Sequence, residues 1–290
     1  MNDSHSDRIR SVNDKPVNED GEFIIYWMIA TRRFNYNSSL EFAAQLAVEH
    51  DVPLLVIEEI STSHRFANDR IATFMIQGMV ENVSVFRDNN IRYIPWVETP
   101  LSGPIGLLKE VSKRAKIVVS DDFPTYYPSR AINAASKSVP VKMYAGDSNG
   151  VIPMSWTESA HTTAHGFRRW IHANFSRCPE TWPKQNPIPK NANLMMSDKL
   201  FNSVMKKCSV KLPPFEWLWR CSEGGSVGKK ALSAIDIDHS VGPVRMAQGG
   251  RNTAMRKLSH FLTDRLERYH LDRNNVENPA VSGLSPWLHF

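Results

Sequence analysis

The chain has 290 residues, of which 41% are hydrophobic and 22% charged; this ordinary globular usage excludes a disordered chain, a collagen and a coiled coil. No apolar run approaches the ~20 residues of a membrane helix, the polar stretch before Phe23 has no signal-peptide core, and three cysteines without a CxxC support neither a disulfide framework nor a zinc knuckle. The net charge of +5 is uneven: residues 1–160 carry 16 basic and 20 acidic side chains, whereas residues 161–230 carry 12 and 4; charge alone favours a solvated, lysine-rich linker there, with steering toward a polyanion such as DNA as the alternative. A reduced, cytoplasmic protein without membrane attachment is the expectation.

Residues 1–22 read as a flexible tail with one anchoring turn at Ile9 to Val12. Phe23 to Ile29 (FIIYWMI) is a continuous apolar, β-branched and aromatic run, the pattern of a strand buried on both faces. Asn37, Ser38 or Ser39 can cap the helix that follows, with Glu41 in its first turn and Leu40, Ala43, Ala44 and Ala47 on one face. Val52 to Ile60 is a second strand, His64 to Asn89 a long helix, and Ile91 to Val97 a third strand whose end Pro95 weakens. A short helix over Ile105 to Ala115 leads to a fourth strand, Lys116 to Ser120. A helix over Pro128 to Lys137 leads to a fifth, Val141 to Tyr144. Such alternation predicts an α/β fold with a five-stranded parallel sheet. Ligands on such sheets bind beyond the carboxyl ends of the strands, here Ala30 to Phe34, Ile60 to Ser63, Glu98 to Ser102, Ser120 to Pro124 and Gly146 to Gly150.

After Pro153 the pattern changes. Glu158 to Phe175 reads as a helix, and residues 154–248 as a Pro-rich connector with short helical pieces, Leu200 to Lys207 among them. Gly249 to Arg273 is the clearest later helix, striped by Met255, Leu258, Leu262, Leu266 and Tyr269. Generic motifs fail: no GxGxxG, P-loop or GxSxG occurs. His161 and His165 stand four apart but lack an intervening Glu and a third ligand, so surface histidines are the better reading. Asp121 and Asp122 are a catalytic or metal pair in one reading and caps of the next turn in the favoured one. Trp182, Trp217, Trp219 and Trp287 read as core anchors, with stacking on a ligand as the alternative. No metal site is expected.

Ordered blocks along the chain nevertheless carry a resemblance. Arg8, Arg10, Asn13, Pro16 and Phe23 to Met28 match R-x-R-x-x-N, a proline and Y-V-L-Y-W-M; Arg33, Asn37 and Leu40 to Ala43 match the next stretch. Asp147 and Val151 to Pro153 match the end of a sheet domain, and Ala164, Arg168 and Ile171 fit a following helix. The most specific block is Phe261-Leu262, Arg265-Leu266, Tyr269, Asp272 to Asn275 and Ser282 to Phe290 (SGLSPWLHF). Together these resemble class II cyclobutane pyrimidine dimer photolyases. Gly150 and Val276 depart from the pattern, and residues 176–245 match weakly.

The resemblance implies a Rossmann-like antenna domain at 23–153, the connector at 154–248, and at 249–290 the beginning of an all-helical FAD-binding domain, truncated at Phe290 where family members continue. It implies light-dependent repair of pyrimidine dimers in DNA by electron transfer from reduced FAD, a deoxyribodipyrimidine photo-lyase activity that needs no acid–base catalytic residue. Tyr269, Ser282, Gly283, Leu284 and Ser285 take the places that line the FAD phosphate and ribityl site, and a Gly-Ser turn suits close approach to a pyrophosphate. Arg273 takes the place of a DNA phosphate contact. A second, deazaflavin-type antenna chromophore is implied at the strand rim. The chain alone is not expected to repair DNA; a missing helical half or a separate subunit would complete it. Two alternatives stay open: a stand-alone antenna-chromophore protein and a repair-dead relative.

Overall fold

A computed structural model describes residues 7–62, 64–99, 106–157 and 159–290. The chain forms two compact units, Met1–Glu59 with Ser84–Trp96 and Leu101–Leu212, and Ile60–Val83 with Val97–Pro100 and Pro213–Phe290. Neither boundary follows the linear division into antenna domain, connector and helical start.

The first unit is built on a sheet of β1 (Ile9–Ser11), β2 (Ile24–Met28), β3 (Leu54–Ile60), β4 (Arg92–Val97), β5 (Ile117–Asp121) and β6 (Lys142–Gly146), in the order β1-β6-β5-β2-β3-β4. β2 pairs in parallel with β3 and β5, and β5 in parallel with β6. All of β2 is buried because the two faces of its apolar run feed two cores. Phe23, Ile25 and Trp27 pack with Leu55, Ile57, Val118 and Met143 on one side; Ile24, Tyr26 and Met28 pack with Leu54, Val56, Val119 and Phe86 on the other. The second side is closed by α1 (Ser38–Glu49) through Leu40, Ala43, Ala44 and Ala47. Of the three possible caps, Asn37 is the one used: its side chain accepts the Leu40 N–H at 2.9 Å. On the first side lie α3 (Leu107–Val111), after α2 (Asp69–Asp88), and α4 (Tyr126–Ser138).

Two expectations are corrected here. Residues from Ile9 onward are not a free tail: β1 pairs antiparallel with β6, Ile9 opposite Gly146, and adds a sixth strand. The following residues strap the sheet, Val12 N–H to the Met143 carbonyl at 3.0 Å, Asn18 N–H to Lys116 at 3.1 Å and Glu22 N–H to Arg114 at 2.9 Å. A three-residue polar strand has too short a period to be read from sequence, and it covers an otherwise open sheet edge. The connector likewise does not merely connect. Leu194, Met196, Val204 and Val210 are buried in the two sheet cores, Val204 from α6 (Asp198–Lys206), which Ser197 caps. Earlier in the same stretch, α5 (Ala164–Asn174) has no buried residue.

At the carboxyl end of β5 a polar knot replaces apolar packing. The fully buried Asp121 carboxylate accepts N–H groups of Ile29, Ala30 and Thr31 at 2.9, 2.8 and 2.9 Å and the Tyr26 hydroxyl at 2.7 Å. Asn37 Nδ2 donates in turn to the Tyr26 oxygen at 2.9 Å and to the Arg33 carbonyl at 2.8 Å. A charge can be buried where its lone pairs are filled in this way. Burial, then the neighbouring Asp121 charge, holds the Tyr26 hydroxyl well above its ordinary value of 10.

The second unit centres on Ile60, Ala72, Ile76, Met79, Leu218, Cys221, Leu232 and Ile235. The apolar stripe of α2 up to Met79 meets α7 (Phe215–Glu223) and α8 (Gly225–Leu232), a helical pair broken at Gly224, whose φ is +70°. Trp217 is half-buried and donates to the Ala231 carbonyl at 2.9 Å, whereas Trp182 and Trp219 are about half exposed, against the core reading. Gly249 has no room for a Cβ, which would meet the Phe74 carbonyl oxygen at 1.9 Å. The long helix expected from Gly249 to Arg273 is two helices, α9 (Arg251–Asp264) and α10 (Tyr269–Asp272). Around Arg265 the hydrogen bonds shift: Leu266 N–H reaches five residues back to Phe261, and Arg268 and Tyr269 reach only three back.

Two outcomes follow from this packing. Gly21→Ala would set its Cβ 2.3 Å from Lys116 Cα, backbone against backbone; overpacking of this kind costs on the order of 1–3 kcal/mol, and calorimetry should show the first unit melting several degrees lower. Tyr26→Phe removes a hydrogen bond to a buried carboxylate, worth about 1.5–3 kcal/mol at neutral pH. It also removes this group's share of the alkaline trend. An unfolded tyrosine ionises near 10 and the folded one well above it, so wild-type stability falls as pH rises past about 10, by up to ~1.4 kcal/mol per pH unit for this group. Urea titrations at pH 9 to 11 should give a shallower fall for the variant; equal slopes would refute the assignment.

Candidate functional site

The strand rim is held together by its own groups. Asp121 does not cap the next turn but gathers the turn after β2, as described, and Asp122 pairs instead with Arg10, Nε at 2.5 Å and Nη2 at 2.8 Å. Neither reading of the two aspartates as a catalytic or metal pair survives this, and no group of three or more His, Cys, Asp or Glu among the described residues could hold a metal ion. Arg33 donates to the carbonyls of Ser148 and Tyr36, both at 3.1 Å, and burial pulls its guanidinium below the usual value. Arg8, also lowered by burial, donates to carbonyls of Asp147, Gly150, Val151 and Thr181 and faces the Asp147 carboxylate at 3.7 Å. Arg32 meets Glu58 at 3.1 Å, and the Tyr93 hydroxyl donates to the same carboxylate at 2.5 Å. In the second unit the Ser61 hydroxyl and Thr62 N–H donate to Glu98 at 2.7 and 3.0 Å. Ser63 and residues 100–102 of the expected rim lie outside the described residues.

The C-terminal segment is the opposite case. A loop closes where Ala280 N–H donates to the Asp272 carbonyl at 3.2 Å, with Ala280 fully buried beneath it. Arg265 Nη1 reaches the Val281 carbonyl at 3.4 Å, and Arg268 pairs with Asp272 at 2.7 Å. These contacts present the turn Ser282 to Leu284, which leads into α11 (Ser285–His289). Gly283 has φ +64°, a value glycine adopts without strain, and a Cβ there would meet nothing within 4 Å. The Leu284 N–H is taken by the Ser282 hydroxyl at 3.4 Å; the N–H groups of Gly283 and Ser285 have no acceptor among the described residues. Tyr269 is 40% exposed, with its ring edge-on to Phe261 at 6.0 Å and the Arg273 guanidinium 5.9 Å above it.

The residues singled out from sequence are therefore all on one folded segment, Tyr269 and Arg273 on one arm and Ser282 to Ser285 on the other. Among the described residues no hydrogen bond joins Tyr269 or Arg273 themselves to Ser282–Ser285; the two arms are held by Ala280 to Asp272 and Arg265 to Val281. Sequence reasoning missed the residues that shape the turn: Arg265 and Asp272 were visible only as members of a motif, without a role. It also gave no sign that Trp287 Nε1 is buried without a partner, its ring flanked by Phe74 at 5.4 Å and by the Lys257 ammonium at 5.3 Å. Two free amides, two hydroxyls, an open glycine and nearby guanidiniums form a donor set suited to a phosphate-bearing group. The three cysteines are unpaired, and burial, then Asp69, pushes the Cys221 thiol up to about 12, far from a nucleophile.

Comparison with known proteins gives a consistent picture. No family model matches the chain. It is 24% identical over 286 residues to the deoxyribodipyrimidine photo-lyase of Methanothermobacter thermautotrophicus, covering 99% of this chain and 57% of that protein. It is 24% identical over 291 residues to that of Potorous tridactylus, covering 98% and 48%, and 26% identical over 296 residues to that of Arabidopsis thaliana, covering 95% and 52%. The chain thus spans about half the length of the curated relatives it matches. Among solved structures, a class III photolyase from Agrobacterium tumefaciens aligns with TM-score 0.54 at 17% identity, covering 92% of this chain and 50% of its own. A Synechocystis cryptochrome aligns with TM-score 0.59 at 14% identity, covering 92% and 52%. A shared mixed α/β fold, together with likeness along nearly the whole sequence to proteins named photo-lyase, supports placing this chain in the photolyase/cryptochrome superfamily.

Proposed function

We propose that the chain serves light-dependent repair of cyclobutane pyrimidine dimers in DNA as a class II photolyase-type sequence. In this reading it contributes the α/β unit and one wall of an FAD site, and the remaining walls correspond to the half of the relatives that it does not span. Reduced FAD, when bound and excited by blue or near-UV light, supplies the electron that splits the cyclobutane ring. The chain's own residues bind and orient. The Gly283 and Ser285 N–H groups and the Ser282 and Ser285 hydroxyls meet the phosphates, Tyr269 lines the same segment, and Arg273 contacts a DNA phosphate. Neutral donors on a rigid turn suit this role, since they hold a polyanionic cofactor without taking part in proton transfer. An antenna chromophore of deazaflavin type at the strand rim is part of the same proposal. The observation that carries the reading is the open, positive-φ Gly283, whose own N–H and that of Ser285 have no acceptor among the described residues.

The test is hydrogen exchange with FAD titrated into the chain. Slower exchange at Gly283 and Ser285 is expected, with the rest of the C-terminal segment little changed. Gly283→Val forces a β-branched residue to a φ it disfavours, and should lower FAD affinity at least about tenfold, the equivalent of one lost charge-assisted hydrogen bond. No protection at any FAD concentration would refute the site. Arg273→Gln should reduce the salt dependence of binding to dimer-containing duplex DNA by about one phosphate contact; an unchanged slope would remove Arg273 from the interface.

A further inference from the structure

We infer that the exposed face of α6 is a contact for the phosphate backbone of duplex DNA, made by the first unit and separate from the C-terminal turn. That the duplex is DNA rather than RNA rests on the repair reading above; that it is a duplex rests on the face itself. What α6 buries sets its orientation. Val204 is buried, and Leu200, Phe201 and Met205 pack against the same sheet core. At about 3.6 residues per turn, these four fix the inward side. The opposite side carries Lys199, Ser203 and Lys206, with Lys207 beside them at the C-cap, and all four are exposed. The charge on this face is uncompensated. The ammonium groups of Lys199, Lys206 and Lys207 have no hydrogen-bond or ion-pair partner among the described residues. The carboxylates that border them are already taken: Asp198 pairs with Arg92, and Glu22, which also feels Lys207, pairs with Arg114 at 2.5 Å. Arg114 donates in turn to the Ser203 hydroxyl at 2.8 Å, which holds that neutral pair against the middle of the lysine face.

The partner follows from what the face lacks. From α6 no open ring is presented: Phe201 packs against the core with the Arg92 guanidinium 4.7 Å over it, so unpaired bases find nothing to stack on. No apolar group is presented either, because Leu200, Val204 and Met205 are turned to the core; a helix that lies in a lipid surface needs such groups beside its lysines. What remains is attraction to charge density. Lys199 and Lys206 stand about 10 Å apart along the helix axis. Over that length a duplex presents roughly six phosphates and a single strand roughly three. Lysine meets a phosphate as a point charge, without the fork geometry of arginine. Such a contact is blind to sequence; it draws in and holds the duplex without choosing a site on it.

The experiment measures binding of a short, fluorescent, undamaged DNA duplex to the full chain by anisotropy, at several salt concentrations. K199Q/K206Q/K207Q should weaken binding at least about tenfold at low salt and flatten the log–log salt slope by about 2.7, three duplex contacts at ~0.9 each. K199R/K206R/K207R, which keeps the charge, should keep the slope. The three side chains are exposed, so both variants should retain the wild-type far-UV circular dichroism; K206Q alone, with a flattening of about 0.9, provides the same test if the triple change unfolds. An unchanged slope in the glutamine variants would overturn the proposal, and if they lost binding to phosphatidylserine vesicles instead, the face would belong to a lipid surface. Equal affinity for an oligothymidylate of the same length would overturn it, as would tighter binding of the matching RNA duplex. So would displacement of the duplex by polyglutamate at equal charge, which would mark an acidic protein as the partner. A parallel titration with a duplex carrying a pyrimidine dimer separates this surface from the repair reading: absence of any preference for the dimer would count against repair, while the lysine effect on undamaged duplex would still support the α6 contact.

Discussion

The first unit turns on one buried carboxylate. Asp121 ends β5, and its oxygens take three consecutive backbone N–H groups from the chain leaving β2. Without an acceptor, those amides would be buried and unpaired, at ~1–3 kcal/mol each. With it, the chain is forced into a tight turn that delivers Asn37 to the head of α1. Asn37 then serves two elements at once: its oxygen caps the helix, and its amide group holds the Tyr26 hydroxyl that Asp121 also binds. β5, β2 and α1 are thereby fixed at the same end of the sheet, the end where ligands bind in folds of this type. The remaining rim cations follow from that placement. Arg33 finds the Ser148 carbonyl because the turn after β2 is already set, and Arg8 can be buried because four carbonyls converge on it.

The contrast between this rim and the C-terminal turn is the basis for reading function. Polar groups that satisfy one another hold a fold together and leave little for a ligand. Polar groups held in place by other contacts, yet unsatisfied themselves, are available to bind. Ser282 to Ser285 are of the second kind. Arg265 pins the preceding carbonyl, the Asp272–Ala280 hydrogen bond closes the loop, and buried Ala280 seats it, while the Gly283 and Ser285 amides are left facing outward. The break between α9 and α10 is part of the same arrangement. A continuous helix would have carried Tyr269 and Arg273 on along its axis; the shift to three-residue hydrogen bonds after Arg265 turns them instead onto the segment that also presents the turn.

Much of the sheet was legible from sequence because its strands are buried on both faces and so announce themselves as apolar runs; Phe23 to Ile29 and Val52 to Ile60 needed no partner to be recognised. The helix start at Asn37 was legible as a set of three candidates, and only the side-chain geometry chose among them. What escaped was structure made by few residues or by contacts distant in sequence. Ile9 to Ser11 alternates over too short a span to register, and its strand exists only because β6 offers an open edge. The residues Leu194 to Val210 looked like linker because prolines and lysines surround them, yet single apolar side chains spaced along an irregular path are enough to fill a sheet face. At the candidate site, the resemblance supplied the residues and no geometry. That Gly283 stands at positive φ, and that Arg265 holds Val281, are consequences of a loop closed over sixteen residues, beyond the reach of any local pattern.

The basic character of residues 161–230 now has physical content rather than a net count. Several of its cations are spent on structure or local pairing: Lys184 pairs with Glu41 and Arg220 with Glu216, while Arg177 lies over the Trp156 ring at 4.4 Å. Arg168 and Arg169 are not spent in this way. Their guanidiniums are exposed charge on a helix that buries nothing, with no contact that fixes where they point. The C-terminal turn is the reverse, neutral amides and hydroxyls set in place by Arg265 and by the closed loop. Free charge attracts without selecting, whereas donors of fixed geometry select, and for that reason the turn carries the functional reading and the charge excess does not.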